Sequence, residues 1–161
     1  MESKDSEDME GIDIDILRML SEDDRVSLRT IAKELNKSPV TIKGHIDKLE
    51  EKGIIKDYGV TLNYEKLGFD IIAMIELTIS KGKMLEVERD IAKHPNIFAV
   101  YDITGEYDAI LLARFRNRSE LSAMVKEINK YEYVLRTNTH LILNVVKEGT
   151  EFPELISQNK E

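Results

Sequence analysis

The chain has 161 residues, 42% of them hydrophobic and 34% charged, with three histidines and no cysteine. That is enough for one compact domain or two small ones, and it excludes a disulfide framework and thiolate metal sites. No apolar run reaches the roughly 18 residues of a membrane span, and the acidic, polar start is unlike a signal peptide, so the sequence reads as cytoplasmic with no membrane partner. The net charge of −8 opposes phosphate binding if taken as an average. Its distribution does not. Residues 25–56 carry eight basic residues against four acidic ones, a net of +4, between a leader (1–24) at −8 and a remainder (57–161) at −4.

From the end of the acidic leader through that basic window the apolar spacing predicts three short helices. Ile16, Leu17 and Leu20 mark the first, over residues 12–22. Leu28, Ile31, Ala32 and Leu35 recur at i, i+3, i+4 and i+7 and so share one face of a second helix beginning near Ser27. Asn36-Lys37 breaks it. Ser38-Pro39 starts a third, with serine to cap the free N–H groups and proline at the first helical position. Ile42, Ile46 and Leu49 form its buried stripe, and Gly53 is a C′ stop. Val40, Thr41, Lys43, Gly44, Asp47 and Lys48 lie away from that stripe, and an exposed mid-helix glycine costs about 1 kcal/mol relative to alanine. Two β-prone runs follow, 54–56 and 58–62, expected as a two-stranded ribbon. Helix, helix, turn, helix and ribbon make a winged helix-turn-helix pattern, whose last helix enters the major groove. The alternative is a plain three-helix bundle whose lysines only solvate its surface.

Residues 64–68 read as a linker. From Phe69 the period changes to two: Ile71, Ala73, Ile75, Leu77 and Ile79 line one face of a strand and Ile72, Met74, Glu76 and Thr78 the other. A helix from Lys83 carries Met84, Val87 and Ile91 on one side. Strands at 97–104 and 107–115 flank the Gly105-Glu106 turn, and Ser119 is a candidate cap for a helix bearing Leu121, Met124, Val125 and Ile128. A last strand is expected over 135–146. The order βαββαβ is ferredoxin-like. With both helices on one face of the sheet, the other face is expected to carry Ile72, Met74, Val100, Ile110, Leu112 and Ile142, too apolar to leave in water. A second copy, in a two-fold symmetric homodimer, is the cheapest cover.

The chain resembles the Lrp/AsnC (feast/famine) family of transcription regulators. The resemblance runs from Ile12 to about Lys147 and is carried by Asp13-Ile14-Asp15-Ile16-Leu17, Asp24-Arg25-Val26-Ser27, Ile31-Ala32 and Ser38-Pro39-Val40-Thr41-Ile42. It continues through Leu49-Glu50-Glu51-Lys52-Gly53-Ile54-Ile55, Leu67-Gly68 and Thr104-Gly105-Glu106-Tyr107-Asp108. It implies an α+β chain: a winged helix-turn-helix domain (12–63), a linker (64–68) and a ferredoxin-like RAM domain (69–148), with an acidic extension (1–11) and a tail (149–161). It further implies dimers built through the RAM sheets, assembled into tetramers or octamers, and a small effector, typically an amino acid, bound between RAM domains.

The residues expected to meet double-stranded DNA are Ser27, Arg29, Ser38, Pro39, Thr41, Lys43, Gly44, His45, Lys48 and Lys56. His45 sits at the edge of the buried stripe, where packing and phosphate contact are both open. The family commonly has arginine at His45 and Lys48, so bidentate base recognition is lost and the preferred sequence is not inherited. The effector candidates are Gly105, where the backbone permits close approach, Glu106 or Asp108 for an ammonium group, Tyr107 for a ring and hydroxyl, and Thr137 and Thr139 on the last strand. Those features equally describe a hairpin turn with solvated acids. No nucleophile elbow or phosphate-binding glycine loop is present, and His45, His94 and His140 lack ligand spacing, so neither an enzyme nor a metal or cofactor site is expected. A DNA-compacting architectural protein, nearly indifferent to sequence and without an effector, is the competing function.

Overall fold

The structure, a computed structural model, describes residues 9–149 apart from Asp24 and Lys81. The acidic leader before Met9 and the tail from residue 150 lie outside the described residues. Two compact units divide the chain, one up to Thr61 and the other Leu62–Lys147, with Glu148 and Gly149 counted to the first.

The first unit is built from α1 (Gly11–Glu22), α2 (Leu28–Glu34) and α3 (Pro39–Glu51). Their stripes meet in a core of Ile16, Ile31 and Ile42, each fully buried, with Ala32, Ile46 and Leu49. Leu28 does not join it. Residue 28 opens α2, and a helical side chain leans toward the N-terminus of its own helix, which carries Leu28 past the edge of the core and leaves it exposed. The turn between α2 and α3 is closed by Lys37 N–H on Ala32 C=O (2.8 Å) and Asn36 N–H on Lys33 C=O (3.3 Å), with Asn36 at φ 53°. Ser38 then caps α3 by accepting Thr41 N–H at 3.0 Å.

The expected ribbon is absent: residues 54–62 hold no strand. The reason lies at the end of α3. Gly53, at φ +67°, turns the chain so that Gly53 N–H meets Glu50 C=O at 2.9 Å, while the N–H groups of Ile54 and Ile55 both donate to Leu49 C=O. Two donors that a ladder would need are spent on the helix end, and Ile54 and Ile55 pack on the helical core.

The second unit runs β1 (Ile71–Ile79), α4 (Met84–Ile91), β2 (Ile97–Asp102), β3 (Ala109–Phe115), α5 (Arg118–Ile128) and β4 (Val134–Ile142). The sheet order is β2-β3-β1-β4, with every neighbouring pair antiparallel. Ala73, Ile75, Leu77, Ile79, Ala109, Leu111, Ala113 and Phe115 alternate onto one buried face, beneath Val87 and Ile91 of α4 and Leu121, Met124 and Ile128 of α5. Asn117 rather than Ser119 caps α5, accepting Glu120 N–H at 2.9 Å. Residues 64–68 form a hydrogen-bonded turn belonging to this unit. Phe69 N–H reaches Tyr64 C=O, and the Arg116 guanidinium donates to Leu67 C=O at 3.1 Å.

One assignment of the open sheet face is corrected. Val100 pairs with Leu111 and packs into the core, whereas Ala99 and Tyr101 pair with Leu112 and Ile110 on the other side. The register slips between Ile97 and Ala99, leaving Phe98 as an extra residue, and one extra residue exchanges the two faces of everything after it. The open face therefore carries Ile72, Met74, Ile110, Leu112 and Ile142 with Tyr101 in place of Val100.

Glu88 on α4 is buried, and its Oε1 has no hydrogen-bond partner among the described residues. Burial pushes its pKa up, and the charges of Asp102 and Asp108 push it further. A carboxyl whose pKa is raised by folding costs stability as pH rises through the raised value. Glu88→Gln, which removes the charge while keeping the shape, is therefore expected to stabilise the chain at neutral pH. That gain should shrink toward zero as pH falls below the ordinary carboxylate range, as followed by urea denaturation across pH.

Candidate DNA interface and effector turn

Ile42, Ile46 and Leu49 fix which side of α3 faces the core, so Val40, Gly44 and Asp47 come out on the opposite side, with Thr41 and Lys48 on one flank and Lys43 on the other. Ser27, Arg29, Ser38, Pro39, Thr41, Lys43, Gly44, Lys48 and Lys56 are all exposed, as a DNA-facing set must be. Their availability differs. The hydroxyls of Ser27 and Thr30 pair at 2.8 Å, as do those of Ser38 and Thr41, so each serine is engaged in capping. Lys43 Nζ sits 2.6 and 2.7 Å from the two oxygens of Asp47, an exposed contact that raises the lysine pKa and partly offsets its field. Lys48, exposed near the end of α3, has no ion-pair partner among the described residues.

His45 departs from the expected set. Its Nδ1 lies 2.7 Å from Asp13 Oδ1, with the two side chains only 14% and 12% exposed. Asp13 Oδ2 meanwhile accepts Glu10 N–H at 2.8 Å at the start of α1. The histidine is an anchor between α3 and α1, not a side chain of the exposed face. Sequence reasoning placed it at the stripe's edge but had no means of finding its partner 32 residues earlier. Tyr58, just beyond α3, donates its hydroxyl to Glu50 at 2.8 Å.

In the second unit the turn between β2 and β3 is fixed at its base. Ile103 N–H donates to Asp108 C=O (2.9 Å), Asp108 N–H to Leu77 C=O (2.8 Å), and Ile79 N–H to Asp108 Oδ2 (2.7 Å). The Asp108 carboxylate is thereby committed to ending β1, which weakens its case as an ammonium partner. Gly105 lies at φ +130°, a conformation that side-chain-bearing residues rarely adopt. Glu106 and Tyr107 both meet a residue the sequence reading missed. The Arg136 guanidinium is 3.4 Å from Glu106 Oε1 and 5.5 Å from the Tyr107 ring centroid. Thr137 and Thr139 pair with Leu77 and Ile75, placing both on the helix-covered side of β4, the opposite side from Arg136. Thr137 there exchanges hydrogen bonds with Asn129. Beside Arg136 on the open face, Glu76 accepts from Asn138 (2.8 Å) and pairs with His140 (2.9 Å), which lowers the Glu76 pKa. No group of His, Cys, Asp and Glu suited to a metal is found among the described residues.

The two units thus differ in character: a helix trio with exposed lysines on its last helix, and a sheet domain with a polar turn at its rim. Comparison with known proteins gives both halves a match. A winged helix-turn-helix DNA-binding model covers residues 9–56, and the Lrp/AsnC ligand binding domain covers residues 72–152. The chain is 44% identical to an uncharacterized HTH-type transcriptional regulator of Pyrococcus horikoshii over 88% of its own length and 95% of that protein's. It is 37% identical to the HTH-type transcriptional regulator FL11 of Pyrococcus furiosus over 90% and 96%. Among solved structures, a transcriptional regulator of Neisseria meningitidis in complex with L-Met superposes with a TM-score of 0.82 at 25% identity, covering 90% of this chain and 96% of that one. AsnC of E. coli shares the fold, with a TM-score of 0.82 at 22% identity over 88% and 97%. The class is a DNA-binding transcription regulator and not an enzyme. The chain belongs to the Lrp/AsnC family.

The exposed charges of α3 give unequal expectations. Lys48→Ala should weaken DNA binding at all sequences and reduce the slope of log K against log salt by about 1. Lys43→Ala should change that slope less, because its charge is already partly offset by Asp47. Asp47→Asn should raise affinity for arbitrary duplex by freeing Lys43. Mobility shifts across a salt series measure all three, and equal slopes for the two lysine variants would contradict the pairing.

Proposed function

We propose that the protein is a sequence-specific regulator that works as a homodimer or a larger assembly of dimers. The proposed organisation is a DNA-binding domain over 12–63 and a RAM domain over 69–148, with an effector at the 105–108 turn. The observation that carries the dimer is the open sheet face. Ile72, Met74, Ile110, Leu112, Ile142 and Tyr101 form an apolar area that no helix of its own unit covers, and a two-fold axis would cover it with the same face of a second copy. Such a dimer presents two α3 helices, as a palindromic site requires.

For the effector, Arg136 and Glu106 supply opposite charges beside the Tyr107 ring, the complement of an amino acid's carboxylate and ammonium. The two side chains are largely exposed and 3.4 Å apart, so their mutual contact is weak and a zwitterion can replace it. The L-Met bound in the structural relative supports an amino acid as the ligand class. A cytoplasmic location suits this role; among the described residues no helix is long and apolar enough to cross a membrane.

An architectural, sequence-indifferent protein would share the dimer and the basic 25–56 window. Mobility shifts on the protein's own promoter and on random duplex at one stated salt concentration separate the two, and equal affinities would overturn the regulator reading. Thermal shift with the twenty amino acids should show at least one that raises the melting temperature of the wild type. Arg136→Ala should abolish that response while leaving the unliganded melting temperature within about 1 kcal/mol of stability, as for an exposed ion pair. An unchanged response in Arg136→Ala would place the ligand elsewhere.

A further inference from the structure

The outward side of α3 has an apolar centre. Val40 is 82% exposed, next to the helix start, on the side opposite Ile42, Ile46 and Leu49. One turn on, at i+4 on the same side, stands Gly44, where a Cβ would meet nothing within 4 Å. A single exposed valine needs no explanation, but a glycine that weakens its helix, aligned with that valine and under no packing pressure, leaves a stripe free of polar atoms about one turn long. The polar groups bordering it are engaged with each other: the Ser38 and Thr41 hydroxyls at 2.8 Å, and Lys43 with Asp47 at 2.6 Å. In the major groove the base edges present donors, acceptors and a single apolar group, the 5-methyl of thymine.

We propose that Val40 selects thymine in each half-site by contact with its 5-methyl group, and that Gly44 gives the backbone clearance that brings Val40 within reach. The proposal rests on α3 being the reading helix of a sequence-specific regulator. Its chemistry suits the residue. A β-branched side chain has a stiff χ1, so valine loses little rotamer freedom when it is seated against a methyl group.

The test uses the full chain. Binding sites are selected from a random duplex library, and each thymine of the selected site is then replaced singly by deoxyuridine, which differs only by the 5-methyl. Wild type should lose about fourfold in affinity at one thymine per half-site, the transfer free energy of one methyl group. Val40→Ala, which should fold normally because residue 40 is outside the core, should bind the thymine and uracil duplexes alike at that position. Gly44→Ala should weaken both duplexes together. If wild type is insensitive to every thymine-to-uracil change, or if Val40→Ala keeps the full thymine preference, Val40 does not read thymine even though the selected site exists. A library that returns no shared sequence overturns the sequence-specific reading itself, and this proposal with it.

Discussion

The geometry of α3 depends on one carboxylate. Ile42, Ile46 and Leu49 drive the helix against α1 and α2, but apolar burial has no direction and tolerates some rotation of a helix about its own axis. Asp13 supplies the direction. Its Oδ1 holds His45 on α3 while its Oδ2 holds the backbone at Glu10, so the contact is anchored at the start of α1. Hydrogen bonds weaken steeply off-axis, and a buried carboxylate that lost this partner would carry a desolvation penalty with nothing to offset it. The rotation that satisfies Asp13 is the same one that buries Ile42, Ile46 and Leu49 and turns Val40, Gly44 and Asp47 outward. What α3 can read is therefore decided on its hidden side.

The sheet unit solves a similar problem by the same means. Asp108 accepts Ile79 N–H at 2.7 Å and so ties the end of β1 to the start of β3, at the base of the turn that bears Glu106 and Tyr107. Two aspartates at sites that invite a functional reading are thus spent on geometry. The side chains left over at each place, Lys48 on α3 and Glu106 with Arg136 at the turn, are the more exposed ones and pair weakly or not at all within their own unit. Fixed frames with loosely held charges at their edge are what ligand sites require, since a partner displaces a weak contact at little cost.

The periodic part of this architecture was legible in the sequence. The stripes of α1 and α3, the Ser38 cap, the Gly53 stop and the βαββαβ order each rest on local spacing, which the backbone obeys. Three features were not legible, each because it depends on a partner distant in sequence or on a count off by one. The ribbon after α3 looked plausible from β-prone residues, yet its donors were claimed by Leu49 C=O. Val100 looked outward by strict alternation until Phe98 shifted the phase. Arg136 sits between Leu135 and Thr137 with no motif to mark it. It reaches Glu106 only because β4 lies against β1 in the register that places Arg136 opposite Thr78. Lys43 and Asp47, by contrast, stood at i, i+4 in plain view, and their pairing could have been drawn from the sequence.

That pairing changes what the basic window means. Its net of +4 counts Lys43 as available, but a lysine chelated by Asp47 contributes less to phosphate attraction. Non-specific affinity grows with the number of phosphates neutralised, whatever the sequence. Discrimination depends on the ratio between the right site and the vast excess of wrong ones. An acid on the outward side of the reading helix lowers the first term everywhere and penalises base edges that present only acceptors. It leaves untouched an apolar contact such as that proposed for Val40. With a strongly acidic chain around it, α3 on the proposed reading has less charge-driven grip, and a larger share of its affinity would then come from the fit to bases.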